Sequence, residues 1–556
     1  MKNLFQVVAT HAAHSGSKIA ASKWRPGAGF VETSYGALFR DAKRLAALYA
    51  RLTPADSIVP MLVGKSAASI ACMLAAIAAR RPFCFVNPKY RAPQVAAILQ
   101  ATKAPVAITD AAGLVALRGA CRHHPALART TWVVLESEAP AGIHAQAMEE
   151  LRAAANVIVV GDRDEGDDRR LGNEEDARPN AAAVCLFTSG STGQPKGVLI
   201  SEADLMRRVA AEIALFGLTS ADVLLSVLPF SFDVGLNQLM TALAVGGEIV
   251  LLDSWLPRDI LTAAEVRRVT GISGVPSIWQ DVIHSGVRFD KRGRQASLRY
   301  VTISGGSLPE EYLRKFPEIL DGVQIFKTYG QTEAFRATSL RPEEYHRKLG
   351  SVGRPFTDVR VYVVREDGTR CRAGEVGEVI HSGLGTMMGY LESTADTLEL
   401  EKKLRRNPFC GEDDPAPFAI FTGDMGYLDE EGYLFLKGRR DSMLKIMGNR
   451  VYPQEVHNQI LTVPGVKDAV VVGIPRNGQT MLVAFLAIAE DVDLNPASVA
   501  KSLTAKLPTF MIPKEIVFVD HMPRTLTGKP DQQKLVAEYG DGGVRTPPQT
   551  AASPGL

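Results

Sequence analysis

Cysteine is scarce in this 556-residue chain, and the six present (Cys72, Cys84, Cys121, Cys185, Cys371, Cys410) form no CxxC pair and show no metal-ligand spacing. A disulfide framework is thereby excluded, and a reducing, cytoplasmic setting is the simplest one. Excess charge of one sign is missing too: 63 Lys and Arg stand against 61 Asp and Glu. No global field favours nucleic acid or an anionic membrane, so any anion must be held locally. Long apolar runs are also absent. The longest Ala-rich stretch, Ala67 to Ala79, stops at Arg80-Arg81 and falls short of the roughly 18 residues a membrane span needs; it reads as a buried helix. Met1 to Gly16 interrupts its apolar residues with Gln6 and His11, unlike a signal peptide. No repeat at a fixed period is visible.

What is present is ordinary globular sequence, 46% apolar and 22% charged, in a chain too long for one growing core, which implies at least two domains. Apolar residues recur at helical spacing from Tyr35 to Leu52, an apolar run covers Ile58 to Val63, and helix-like stretches (Ala67 to Ala79, Ala92 to Ala101) alternate with strand-like ones (Phe83 to Val86, Val106 to Thr109). That alternation predicts an α/β domain with parallel sheets covered by helices. Asp162 to Arg178 is charged and reads as an exposed loop. Near residue 440 the character changes: short strand-like runs (Ala469 to Val472, Met481 to Ala487, Ile516 to Val519) surround one helical segment, Ala497 to Leu507. The expected organisation is a large α/β domain over 1–440, with a β subdomain, a small mobile α+β domain over 441–540, and a disordered tail over 541–556.

The sharpest motif is Phe187-Thr188-Ser189-Gly190-Ser191-Thr192-Gly193-Gln194-Pro195-Lys196-Gly197-Val198, directly after the apolar run Ala181 to Leu186. Small residues let backbone N–H groups and hydroxyls wrap phosphate oxygens, and a lysine adds charge. The Walker pattern is not met, since Gly197 follows Lys196 where a Mg²⁺-binding Ser or Thr belongs. The segment resembles the phosphate-binding signature of the adenylate-forming superfamily: acyl-CoA synthetases, peptide-synthetase adenylation domains and luciferases.

Five further segments resemble that superfamily's motifs in order. Ser304-Gly305-Gly306-Ser307 resembles the turn against adenine. Tyr329-Gly330-Gln331-Thr332-Glu333 resembles the segment in which, by the resemblance, Tyr329 stacks near adenine, Thr332 touches phosphate and Glu333 helps hold Mg²⁺. Phe421-Thr422-Gly423-Asp424 and Gly438-Arg439-Arg440-Asp441 follow; the resemblance makes Asp424 the ribose ligand, Arg439 a ribose or phosphate contact and Asp441 the hinge. Pro523-Arg524-Thr525-Leu526-Thr527-Gly528-Lys529 resembles the motif carrying the catalytic lysine. Such a cation is chemically required, because carboxylate attack brings two anions together. Lys445 and Gly448 match positions of the thiol-transfer conformation.

The same resemblance puts the acid pocket at Asp233, Val234, Asn237, Ser273, Ile303, Gly305, Thr328, Arg336 and Ala337. Asp233, in Phe232-Asp233, resembles the aspartate that pairs an α-amino acid's ammonium; burying a carboxylate favours a cationic partner. It also fits an aspartate at a helix start, and Asp233-Val234-Gly235-Leu236 is shared with fatty acyl-AMP ligases. Arg336 either meets a second substrate carboxylate or points outward. The implied function is ATP- and Mg²⁺-dependent formation of an acyl-AMP from a carboxylic acid, with the acyl group passed to a separate carrier protein or to coenzyme A. An acyl-CoA synthetase, a fatty acyl-AMP ligase, a luciferase-like oxygenase and a non-catalytic nucleotide-binding scaffold are the alternatives.

Overall fold

The computed structural model describes residues 2–25, 29–110, 113–114, 117, 120, 123–135, 148, 151–153, 155–160, 180–189, 195–289, 297–392, 397–411, 414–446, 449–476, 479–489, 492–525 and 530–540. The expected loop over 162–178 and tail over 541–556 lie outside them.

The alternation read from the first hundred residues is realised. Ser34 caps the helix Tyr35–Leu52 by accepting from the Ala37 N–H, and the helix buries Tyr35, Leu38, Ala42, Leu45, Ala46 and Tyr49, residues three or four apart on one face. Ala67–Ala78 is a helix with nearly every side chain buried. The strands Val59–Leu62, Phe83–Val86 and Val106–Thr109 are buried along their whole length, as parallel strands covered on both faces must be. They form the centre of an eight-stranded sheet whose far edge carries Ala182–Ser189 and Pro195–Ser201, an antiparallel pair.

A second sheet has nine strands. Its core, Glu248–Leu251, Val223–Ser226, Gly271–Gly274, Tyr300–Ile303 and Gln324–Gly330, is parallel throughout. Parallel strands deliver their following loops to one end of the sheet, where ligands of open α/β sheets bind; here those loops are 228–233, 304–309 and 330–335. An antiparallel sheet built on Val359–Val364, Gly377–Gly383 and Phe418–Leu428 supplies Asp424, and its strand Leu434–Arg439 supplies Arg439.

Towards the end of the chain Val466–Arg476, Gln479–Ile488 and Glu515–Phe518 form a three-stranded sheet with its own apolar cluster, including Val456, Ile460, Val471, Leu486, Val499 and Leu503. The whole is a large α/β assembly followed by a small α+β one. The expectation of one helix in the latter is corrected: Pro453–Ile460 and Gln532–Gly540 join Pro496–Thr504. Pro453–Ile460 buries only Val456 and Ile460, too few contacts to print a helical period on the sequence. Among the described residues no helix is long and apolar enough to cross a membrane.

Candidate active site

The glycine-rich loop begins where a strand ends. Thr188 and Ser189 close Ala182–Ser189, and Lys196 opens the return strand directly opposite Thr188. Gly190, Ser191, Thr192 and Gly193 lie outside the described residues, as do Gly448 and Lys529. Either side of Lys529 the backbone folds back on itself: Arg524 and Pro530 form an antiparallel bridge, and the Asp531 N–H donates to the Pro523 carbonyl at 2.8 Å. Arg524 also pairs with Asp468 at 2.7 Å. Lys445 sits in the short strand Leu444–Ile446.

Asp424 gathers residues that are far apart in sequence. Its Oδ2 accepts from the Tyr329 hydroxyl and from Gln331 Nε2, both at 2.6 Å, and its Oδ1 from Arg439 at 3.3 Å. Arg439 also donates to the Thr422 carbonyl at 2.9 Å and pairs with Asp441 at 3.2 Å. Gly423, at φ +74°, makes this possible, since a side chain there would meet the Arg439 guanidinium at 3.1 Å. Burial and the Asp424 charge push the Tyr329 phenol well above its ordinary range, so it stays a hydrogen-bond donor.

Gln331 is anchored in turn by Lys403, which donates to its Oε1 at 2.7 Å and to the Thr422 carbonyl at 2.9 Å. Burial lowers the Lys403 pKa, opposed by Glu333 and Asp424. Glu333 accepts from Tyr390 at 2.8 Å through Oε1, and Thr332 is half-buried beside it. Mg²⁺ takes one or two carboxylates together with phosphate oxygens; a single carboxylate with one oxygen engaged by a neutral hydroxyl fits that requirement. No group of three or more His, Cys, Asp or Glu side chains placed to hold a metal ion occurs among the described residues.

The residues expected to line the acid pocket are mostly buried. Val234, Asn237, Ser273, Ile303, Thr328, Arg336 and Ala337 are buried, while Asp233 is half-buried as the first residue of the helix Asp233–Val245, its Oδ1 accepting from the Val234 N–H at 2.8 Å. Gly305 takes φ +79°, and a Cβ there would meet the Phe232 ring at 3.0 Å, so the turn and the segment leading to Asp233 touch. Gly306 and Ser307 beyond it are exposed.

Arg336 does not point outward. It is 5% exposed, pairs through Nε with Glu212, and donates from Nη1 to Thr328 at 2.8 Å and Ser304 at 3.1 Å. Glu212 thus already balances its charge. Burial raises the Glu212 pKa, an effect that Arg336 and the Asn237 amide oppose. Sequence reading missed Glu212, although a signal existed: Leu205, Val209, Glu212 and Phe216 occupy one helical stripe and are all buried, and an acid in an apolar stripe calls for a buried cation. Gln331, Lys403 and Tyr390 were missed as well.

The strand pair around Thr188 and Lys196, the cluster on Asp424 and the buried residues around Arg336 are the groups to set beside known proteins. The model of the family described as AMP-binding enzyme matches residues 8–391, and that of the AMP-binding enzyme C-terminal domain matches residues 455–529. The chain belongs to the AMP-binding enzyme family, the adenylate-forming enzymes. It is 31% identical to indoleacetate–CoA ligase of Aromatoleum aromaticum over 65% of this chain and 68% of that protein. It is 30% identical to bacitracin synthase 3 of Bacillus licheniformis over 64% of this chain and only 5% of that protein. The solved structure of ATP-bound MatB from Rhodopseudomonas palustris superposes with a TM-score of 0.78 at 23% identity, covering 98% of this chain and all of that one, which establishes the shared fold.

Proposed function

We propose that this chain activates a carboxylic acid with ATP and passes the acyl group to a phosphopantetheine thiol on a separate carrier protein. In the first step a carboxylate oxygen attacks the α-phosphorus, forming acyl-AMP and breaking the bond to pyrophosphate. In the second the thiol sulfur attacks the acyl carbon and AMP leaves. The observation that carries the first step is the convergence of Tyr329, Gln331 and Arg439 on Asp424, which orients a carboxylate for ribose hydroxyls. Thr188 to Lys196 hold phosphates, Gly305, Gly306, Ser307 and Gly330 border the base, and Glu333 with Mg²⁺ screens phosphate charge. Lys529 offsets the negative charge that builds as the carboxylate reaches phosphorus.

The small unit, 441–540, turns about Asp441 between the steps, withdrawing Lys529 and presenting Lys445. An acid bearing an amine is favoured by the charge balance of the pocket: Asp233, Glu212 and Arg336 sum to one negative charge, which an ammonium neutralises. Substrate-dependent exchange of pyrophosphate into ATP across amino, β-amino, aryl and fatty acids tests this. Exchange with amine-bearing acids is expected; exchange only with unsubstituted fatty acids would defeat the ammonium reading, and no exchange at all would favour a scaffold. Offering coenzyme A and a phosphopantetheinylated carrier to the enzyme with its acid then separates the two acceptors.

A further inference from the structure

The Glu212–Arg336 pair is built more completely than packing alone demands. Glu212 is 1% exposed on the helix Glu202–Phe216, and Arg336 opens the strand Arg336–Leu340. Thr328 and Ser304 take Nη1, the Phe216 ring lies 5.7 Å from the guanidinium carbon, and the Asn237 amide sits beside the Glu212 carboxylate. Among the described residues Arg336 Nη2, buried, has no hydrogen-bond partner. Asp233 places a second carboxylate within electrostatic reach of Glu212.

We propose that Glu212 is a specificity-determining residue: by neutralising Arg336 it makes the pocket accept an acid whose far end carries a neutral hydrogen-bond acceptor and reject one ending in a second carboxylate. This rests on the acid-pocket placement proposed above. An amide, hydroxyl or carbonyl oxygen at the far end satisfies Nη2, which is otherwise a buried donor left unmade. A carboxylate there would be a second anion competing with Glu212 for one guanidinium, and buried like charges repel strongly. Arginine alone would have favoured dicarboxylic acids, since its fork suits carboxylates; the glutamate reverses that preference.

The test uses acids matched in length that differ only in a terminal amide or carboxylate: asparagine and aspartate, glutamine and glutamate, succinamate and succinate. In pyrophosphate exchange the wild-type protein should prefer the amide member by about a hundredfold in kcat/KM. Glu212→Gln should reverse the preference, and the charge-balanced double change Glu212→Gln with Arg336→Gln should abolish the reversal. A wild-type protein that takes the dicarboxylic members equally well or better, or a folded E212Q that keeps the wild-type order, overturns the proposal. If E212Q does not fold, the wild-type ratio decides alone. Calorimetric binding of the same pairs needs no turnover: a protein that binds amide members selectively but exchanges with no acid would retain this inference and lose the adenylation reading.

Discussion

The nucleotide end and the acid end of this site solve the same problem, holding charge away from bulk water, in opposite ways. At the nucleotide end a partly buried carboxylate, Asp424, collects donors from the strand ends of two different sheets. Its partners are neutral or solvent-reachable, and each is replaceable by a ligand group. At the acid end Glu212 and Arg336 are closed off from solvent and satisfy one another. Exposed charge clusters can rearrange when a ligand arrives, whereas a buried pair behaves as part of the core and discriminates by refusing to move.

Breaking the acid end should therefore cost fold stability first. Arg336→Ala leaves Glu212 buried without its cation and should destabilise the protein by about 3–5 kcal/mol, read as a shift in the urea midpoint. The penalty should depend on pH. Glu212 already has a folded-state pKa above its ordinary value, and loss of Arg336 raises it further. A carboxyl whose pKa is higher folded than unfolded binds its proton more tightly in the native state, so stability is recovered as pH falls and lost as pH rises through the folded value. A pH-independent loss would mean that water, not burial, surrounds Glu212.

Breaking the nucleotide end should instead cost rate. Lys529→Ala should slow acyl-AMP formation by about 10²–10³, the usual loss for one preorganised charge contact, with little change in melting temperature. Thiol transfer from acyl-AMP supplied directly should survive if, as proposed, Lys529 is withdrawn before that step. Equal loss of both half-reactions would remove the division of labour between Lys529 and Lys445. Asp424→Asn should be milder: it removes the charge from three hydrogen bonds, worth about 1.5–3 kcal/mol together with ribose, and should appear as a rise in the KM for ATP at nearly unchanged kcat for exchange.

The contrast also explains what the sequence could show. Loops proposed to contact the nucleotide are read by residue type in a fixed local order, so Thr188 to Lys196, Ser304 to Ser307 and Tyr329 to Glu333 are visible as short strings. The helix Tyr35–Leu52 was visible through its period and the buried strands through short continuous apolar runs. Arg336 carries no such local context. Its fate depends on Glu212, 124 residues earlier by their numbering, and only the packing of a helix against a sheet edge brings the two together. Gln331 and Lys403 escaped notice for the same reason: their roles lie in a hydrogen bond to each other and to the Thr422 carbonyl. The helices Pro453–Ile460 and Gln532–Gly540 were hidden differently, by being too short and too little buried to impose a pattern.

The smallest expected effect sharpens the comparison most. Tyr329 has two ways to serve the nucleotide, through its ring and through the hydroxyl that donates to Asp424 at 2.6 Å. Tyr329→Phe keeps the ring and deletes one of three donors, while Gln331 and Arg439 continue to hold the carboxylate. A single hydrogen bond is worth about 0.5–1.5 kcal/mol net, so the KM for ATP should rise by no more than about tenfold. Tyr329→Leu removes the stacking surface as well and should cost clearly more. If Phe and Leu were equally damaging, the hydroxyl would be the whole contribution. The Asp424 cluster would then be as rigidly interdependent as the Glu212–Arg336 pair, and the distinction between an adaptable nucleotide end and a fixed acid end would fail.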